Sequence, residues 1–104
     1  MELHPLELKE RLDAKHDLYL LDVRTINETD ICLIPGSHII PLHELADRTS
    51  EIPKDKDVIV ICHHGQRSFM AMQYLRDRGF PAVFNLQGGV DSWAANVDPE
   101  MPRY

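Results

Sequence analysis

The stretch of sequence that decides the fold is Val58-Ile59-Val60-Ile61-Cys62-His63-His64-Gly65-Gln66-Arg67-Ser68. Four consecutive β-branched residues precede the cysteine, and such an apolar run is typical of a strand that is buried on both faces of a sheet. Helical spacing of apolar residues begins directly after Ser68, and Gly79 supplies a stop signal. The sequence therefore predicts that Cys62 lies where a strand ends and a helix begins.

The predicted turn favours a reactive thiolate at Cys62. The first amides of a helix have no acceptor within the helix, and each hydrogen bond to a charged group contributes about 1.5–3 kcal/mol. The positive end of the helix dipole adds roughly 0.3–1 kcal/mol. We therefore expect the amides of residues 64–68 to stabilise an anionic sulfur without a separate base. Arg67 adds a permanent cation and is expected to face an anion.

The remaining segments alternate between predicted helices and strands. Apolar spacing predicts helices over residues 5–15, 41–48, 67–78 and 90–97 and strands over residues 18–23, 38–40, 58–61 and 82–86. Residues 24–36 are expected to form a loop and residues 98–104 an extended tail. This alternation predicts an α/β fold, a small parallel sheet of four or five strands flanked by helices on both faces. Ligands of such sheets bind beyond the carboxyl ends of the strands, where Cys62 lies.

Size and composition narrow the class of protein. The 104 residues, 43% of them hydrophobic, predict a single domain over residues 1–104. The net charge of −6 disfavours nucleic acid and anionic membranes as partners. There is no apolar run long enough to cross a bilayer, no leader-like N-terminus and no cysteine framework of the secreted type. We therefore expect a cytoplasmic protein that binds neither nucleic acid nor membrane.

Three segments resemble the signatures of the rhodanese-like sulfurtransferases. The segment from Cys62 to Ser68 is similar to the family's active-site loop, Cys-x-x-Gly-x-Arg-Ser. A second match, to the family's N-terminal signature, comprises Leu21-Asp22-Val23-Arg24, Glu28, Ile34-Pro35-Gly36-Ser37 and Pro41. A third match, to its C-terminal signature, is Leu86-Gln87-Gly88-Gly89-Val90-Asp91-Ser92-Trp93. The three matches come in the family's order and cover nearly the whole chain. The chain departs from the family pattern at Thr29, Cys32 and Leu33, where an aromatic residue, a glycine and a histidine are usual.

The resemblance implies a sulfurtransferase of the rhodanese-like type. The Cys62 thiolate would attack the outer sulfur of a small anionic donor such as thiosulfate, leaving sulfite and a persulfide. The sulfur would then pass to cyanide in assays, or to a thiol or a partner protein in cells. Substrate would be bound by the rest of the loop, which comprises His63, His64, Gly65, Gln66, Arg67 and Ser68. Covalent transfer of this kind needs no cofactor.

Several of these residues also have simpler interpretations. A buried, inert thiol is the alternative for Cys62, because free cysteine is among the most buried residue types. Gly65 is expected to permit a backbone conformation or a close approach that a side chain would block. Ser68 is predicted to cap the helix rather than to donate toward the sulfur. Adjacent histidines rarely converge on one ion, so no metal is expected at His63 and His64.

Residues outside the loop are assigned mainly structural roles. Asp22, Arg24 and Glu28 are expected to hold the loops around the site through ion pairs. Trp93 is predicted to lie in the core, and Cys32 is predicted to be a small apolar filler. The alternative for Cys32 is a resolving thiol in a redox cycle.

Three other functions remain open from the sequence. A cysteine-dependent phosphatase or arsenate reductase uses a wider loop, with five residues between cysteine and arginine, whereas four separate Cys62 from Arg67. A non-catalytic or sulfur-relay binding module would use the same edge of the sheet for partners. A thiol-redox protein would form a reversible disulfide between Cys32 and Cys62.

Overall fold

The two central strands of the sheet are the most apolar segments of the chain. Strands β2 (Leu18–Asp22) and β4 (Asp57–Ile61) run parallel, with Asp22 paired to Ile61. Beside them lie β5 (Val83–Leu86) and two short edge strands, β1 (Glu2–Leu3) and β3 (His38–Ile39), in the order β1-β5-β4-β2-β3. All neighbours are parallel. The computed structural model describes all 104 residues, and the predicted small parallel sheet is confirmed with five strands.

Five helices cover the two faces of the sheet: α1 (Pro5–Asp13), α2 (Ile26–Ile31), α3 (Leu45–Arg48), α4 (Gln66–Asp77) and α5 (Gly89–Asn96). Successive side chains of a strand point to opposite faces. Accordingly, Val60 packs in one core cluster with Leu75 of α4, whereas Ile59 packs in a second cluster with Leu8 of α1 and with Trp93 of α5. Both faces are therefore buried, which explains the uninterrupted apolar run and confirms the core position of Trp93.

The expectation of a continuous loop over residues 24–36 is wrong, because α2 lies within it. Thr25 caps this helix: its hydroxyl oxygen accepts from the Glu28 amide at 3.3 Å, and a Glu28 carboxylate oxygen accepts from the Thr25 amide at 3.2 Å. The helix has only six residues and lacks an apolar stripe, so periodicity did not reveal it. The Thr-x-x-Glu spacing is a capping-box signal, which is the feature that could have predicted it.

The strand ends bring the functional segments to one edge of the sheet. Residues 62–65 connect β4 to α4, residues 23–25 connect β2 to α2, and residues 87–88 connect β5 to α5. Because parallel strands end on the same side, these three connections are neighbours. None of the helices has the length and the apolar character needed to cross a bilayer.

Candidate active site

Cys62 follows the last residue of β4, and its sulfur accepts a hydrogen bond from the backbone amide of Gly65 at 3.0 Å. Gly65 is the N-cap residue of α4 and has a φ of +104°, in the region that favours glycine. A Cβ at this position would lie 3.3 Å from the Gly88 amide nitrogen. Glycine is therefore needed here both for the backbone conformation and for the approach to the neighbouring turn, as predicted.

The thiol itself is buried. Cys62 is 1% exposed and packs in the core cluster on the α4 side of the sheet, and both cysteines are free. One main-chain amide, that of Gly65, reaches the sulfur, where the sequence predicted several. The amides of Gln66, Arg67 and Ser68 begin α4 and have no acceptor within the helix. The sulfur thus accepts from one amide, and three more amides without an acceptor in the helix follow it in the sequence.

Ser68 is the third residue of α4, so the prediction that it caps the helix is wrong. Its hydroxyl oxygen lies 3.2 Å from the Cys62 sulfur and also makes a short contact with the side-chain oxygen of Asn85. The Asn85 amide nitrogen donates to the Gly65 carbonyl at 3.0 Å and to the Glu2 carboxylate at 3.0 Å, so its oxygen faces Ser68. Asn85, which the sequence did not single out, therefore joins β1, β5 and the cysteine loop.

The Gly88-Gly89 turn supports the loop from the other side. The amide of Val90 donates to the Cys62 carbonyl at 2.9 Å, and the amide of Asp91 donates to the His63 carbonyl at 3.1 Å. Gly89 has a φ of +61°, and a Cβ there would overlap both carbonyl oxygens. Two amides at the start of α5 therefore fix the backbone carbonyls of Cys62 and His63.

Replacing Gly89 by alanine is expected to lower the free energy of unfolding by about 2–3 kcal/mol, because it combines left-handed strain with overlap against the loop. Gly36→Ala is the matched control, since Gly36 has a φ of +89° but no atom within 4 Å of a Cβ. Urea denaturation of both variants measures the difference. Equal destabilisation by the two substitutions would show that the close approach at Gly89 contributes nothing.

Arg67 is bound to Glu28, and this ion pair ties α4 to α2. The two terminal guanidinium nitrogens of Arg67 lie 2.6 and 2.8 Å from the two Glu28 carboxylate oxygens. Arg67 holds the pKa of Glu28 well below its usual range, and Glu28 in turn raises the pKa of Arg67. The anion that Arg67 faces is therefore a carboxylate of the protein.

A second ion pair is fully buried below the first. Arg24 and Asp22 are both 0% exposed, and a guanidinium nitrogen of Arg24 lies 2.7 Å from an Asp22 carboxylate oxygen. Arg24 also donates to the Cys32 carbonyl at 2.7 Å and contacts the Cys32 sulfur at 3.5 Å. Asp22, Arg24 and Glu28 hold the loops through ion pairs as expected, and Cys32 lies in this network rather than among apolar neighbours alone.

Tyr104 connects the two ion pairs. Its hydroxyl donates to Glu28 at 2.8 Å and accepts from Arg24 at 3.0 Å, and its ring stacks on His63 with 3.9 Å between centroids. Burial and the bond to Glu28, partly opposed by Arg24, raise the pKa of Tyr104 to about 12. The sequence predicted an extended tail here and gave no signal for this contact beyond a single aromatic residue after two prolines.

The predicted loop residues are thus placed around one sulfur in different ways. Gly65 and Ser68 contact the sulfur directly, Arg67 contacts Glu28, and His63 contacts Tyr104. His64 and Gln66 are exposed at the rim. No group of three or more His, Cys, Asp or Glu side chains is arranged to hold a metal ion.

Comparison with known proteins identifies the class. Residues 4–96 match the family described as the rhodanese-like domain, and the chain belongs to this family. It is a rhodanese-like sulfurtransferase, being 41% identical over 98 residues to a sulfurtransferase of Allochromatium vinosum, with 94% of this chain and 92% of the relative covered.

Solved structures agree with this assignment. A rhodanese-like domain protein from Staphylococcus aureus matches with a TM-score of 0.86 at 27% identity, covering 99% of this chain and 97% of that one. A thiosulfate sulfurtransferase from Pseudomonas aeruginosa matches with a TM-score of 0.83 at 32% identity, covering 90% of this chain but 18% of that one. In three other relatives the match covers 25% to 49% of a longer protein.

Proposed function

We propose that Cys62 carries sulfur as a persulfide between a sulfane-sulfur donor, such as thiosulfate, and a thiol or protein acceptor, with residues 1–104 acting as one domain. The observation that carries the proposal is the Gly65 amide 3.0 Å from the Cys62 sulfur, beside the acceptor-free amides of residues 66–68. The thiosulfate sulfurtransferase of Pseudomonas aeruginosa supports thiosulfate as a donor to test.

The proposed reaction has two displacements at sulfur. In the first, the Cys62 thiolate bonds to the outer sulfur of thiosulfate, the sulfur–sulfur bond of the donor breaks, and sulfite leaves with the electron pair. In the second, an acceptor thiolate or cyanide bonds to the terminal sulfur, and the Cys62 thiolate leaves. The amides at the start of α4 would bind the negatively charged terminal sulfur between the two steps.

Mass spectrometry of the intact protein after incubation with thiosulfate tests this proposal. We expect a gain of one sulfur atom, located at Cys62 by peptide mapping and removed by added cyanide. A protein that acquires no sulfur from thiosulfate or from any other sulfane donor would rule the function out.

Phosphatase chemistry is disfavoured by the ion pair at Arg67. A phosphate ester needs the arginine of the loop as its ligand, and here both terminal nitrogens of the guanidinium bind Glu28. The four-residue spacing between Cys62 and Arg67 also makes a smaller loop. Hydrolysis of an aryl phosphate that is abolished by substitution of Cys62 would instead favour phosphatase chemistry over sulfur transfer.

Ser68→Ala is expected to lower kcat/KM for persulfide formation about tenfold, because it removes a hydroxyl 3.2 Å from the reacting sulfur. Ser50→Ala, at an exposed serine in a short 3-10 turn, is the control and is expected to change kcat/KM less than about twofold. Reactions with thiosulfate are quenched at successive times, and the fraction of persulfide in each sample, measured by intact mass, gives the rate constants. Equal rates for the two variants would exclude a role of the Ser68 hydroxyl in the chemistry.

A further inference from the structure

Each arginine around the cysteine loop is paired with a carboxylate of the protein. Arg67 binds Glu28, Arg24 binds Asp22, and Arg103 lies 2.8 Å from Asp91, whose amide binds the His63 carbonyl. Three guanidinium charges are thus offset by three carboxylates. The positive charges that the sequence places near Cys62 are therefore largely offset, which weakens their attraction for an anion.

Further hydrogen bonds hold the Glu28 carboxylate in its position beside Arg67. One of its carboxylate oxygens also accepts from the Thr25 amide and hydroxyl, both at 3.2 Å, and the other accepts from the Tyr104 hydroxyl at 2.8 Å. Its side chain is 19% exposed. A substrate that binds Arg67 would have to displace a carboxylate that three other groups also hold in place.

The other charges near the loop do not restore a positive field. His64 lies 3.9 Å from an Asp91 carboxylate oxygen, and the Glu2 carboxylate reaches the opposite flank through Asn85. The chain as a whole carries a net charge of −6. A donor with two negative charges therefore approaches a surface without an excess of positive charge, and the amides at the start of α4 are left as its main attraction.

We propose that Glu28 determines the donor specificity of this site: by neutralising Arg67 it favours sulfane donors with less negative charge than the thiosulfate dianion. This inference rests on the proposed function. Methanethiosulfonate is a suitable probe, because it resembles thiosulfate in shape but carries one negative charge instead of two. The Cys62 thiolate bonds to its outer sulfur, the sulfur–sulfur bond breaks, and methanesulfinate leaves with the electron pair.

The test compares two donors with two variants. Glu28→Gln keeps the size of the side chain and removes the charge that masks Arg67. We expect kcat/KM for thiosulfate, divided by kcat/KM for methanethiosulfonate, to rise about tenfold in this variant. The ratio cancels any general loss of active protein, and its change relative to the unsubstituted protein cancels the intrinsic reactivity of the two donors. Glu51→Gln is the matched control, since Glu51 binds Arg48 through both oxygens, at 2.7 and 2.9 Å, in another part of the fold.

The control is expected to leave the donor ratio within about twofold of the unsubstituted protein, although it changes the net charge equally. A ratio unchanged by Glu28→Gln, or raised equally by Glu51→Gln, would overturn the proposal.

The unsubstituted protein provides a second readout that does not depend on the folding of a variant. Added potassium chloride screens repulsion, so we expect it to increase the rate with thiosulfate more than the rate with methanethiosulfonate. A rate with thiosulfate that falls as salt is added would overturn the proposal. Absence of any persulfide with either donor would instead reject the proposed function itself.

Discussion

Substitution of Cys62 by serine is expected to abolish sulfur transfer, lowering the rate by at least about three orders of magnitude. The reason is chemical: the hydroxyl of serine is a far weaker nucleophile toward sulfur, and no neighbouring base is placed to activate it. The fold should tolerate this change of one atom, because the Gly65 amide can donate to an oxygen as it does to the sulfur. A thiosulfate:cyanide assay, together with intact mass after exposure to thiosulfate, measures the effect.

Cys32→Ser is the matched control, since it removes the other thiol of the chain. Cys32 contacts Arg24 rather than the loop amides, so this variant is expected to retain sulfur transfer. Equal activity of the unsubstituted and Cys62→Ser proteins would eliminate the persulfide mechanism. Loss of activity in both variants, with a reversible disulfide in the unsubstituted protein, would favour a thiol-redox function instead.

Arg24→Met is expected to lower the free energy of unfolding by about 3–5 kcal/mol, which is the typical cost of breaking a buried ion pair on one side. The substitution leaves the Asp22 carboxylate buried without its partner, and it also removes the donor to the Cys32 carbonyl. Urea denaturation monitored by circular dichroism gives the free energy directly.

Two controls separate the cost of leaving the Asp22 charge buried and unpaired from the cost of replacing a long basic side chain by methionine. The double variant Asp22→Asn/Arg24→Met removes both charges and is expected to be more stable than Arg24→Met alone. Lys9→Met breaks an exposed pair with Asp13, where the two side chains are 46% and 63% exposed, and is expected to cost less than about 0.5 kcal/mol. A cost for Arg24→Met as small as that for Lys9→Met would contradict the importance of the buried pair.

The parts of the fold that the sequence predicts are those with strong local signals. The run before Cys62 has no polar interruption, and Gly65 and Gly89 stand at positions where the backbone has a positive φ. Helix α2 and strand β1 are not predicted, for a common reason: with six and two residues they are too short to show a periodic pattern. The sheet and the position of the cysteine thus follow from local patterns, whereas the short elements depend on tertiary contacts.

The contacts around the site were less predictable, because they join residues that are distant in sequence. Asn85 reaches Ser68 from β5, and Tyr104 reaches Glu28 across 76 positions. A pattern within one segment cannot report such pairs. The sequence indicates that Arg67 faces an anion, but it does not indicate that this anion is Glu28, because that pairing depends on how α2 is placed against α4.

The two edge strands of the sheet are each two residues long, Glu2–Leu3 and His38–Ile39. An open edge exposes unpaired backbone groups onto which a strand of another molecule can add, and longer edges offer more of them. Here the longer strands β2, β4 and β5 all have a neighbour on each side. Each edge strand therefore offers only two residues to a strand of another molecule, which limits intermolecular strand addition onto β1 and β3.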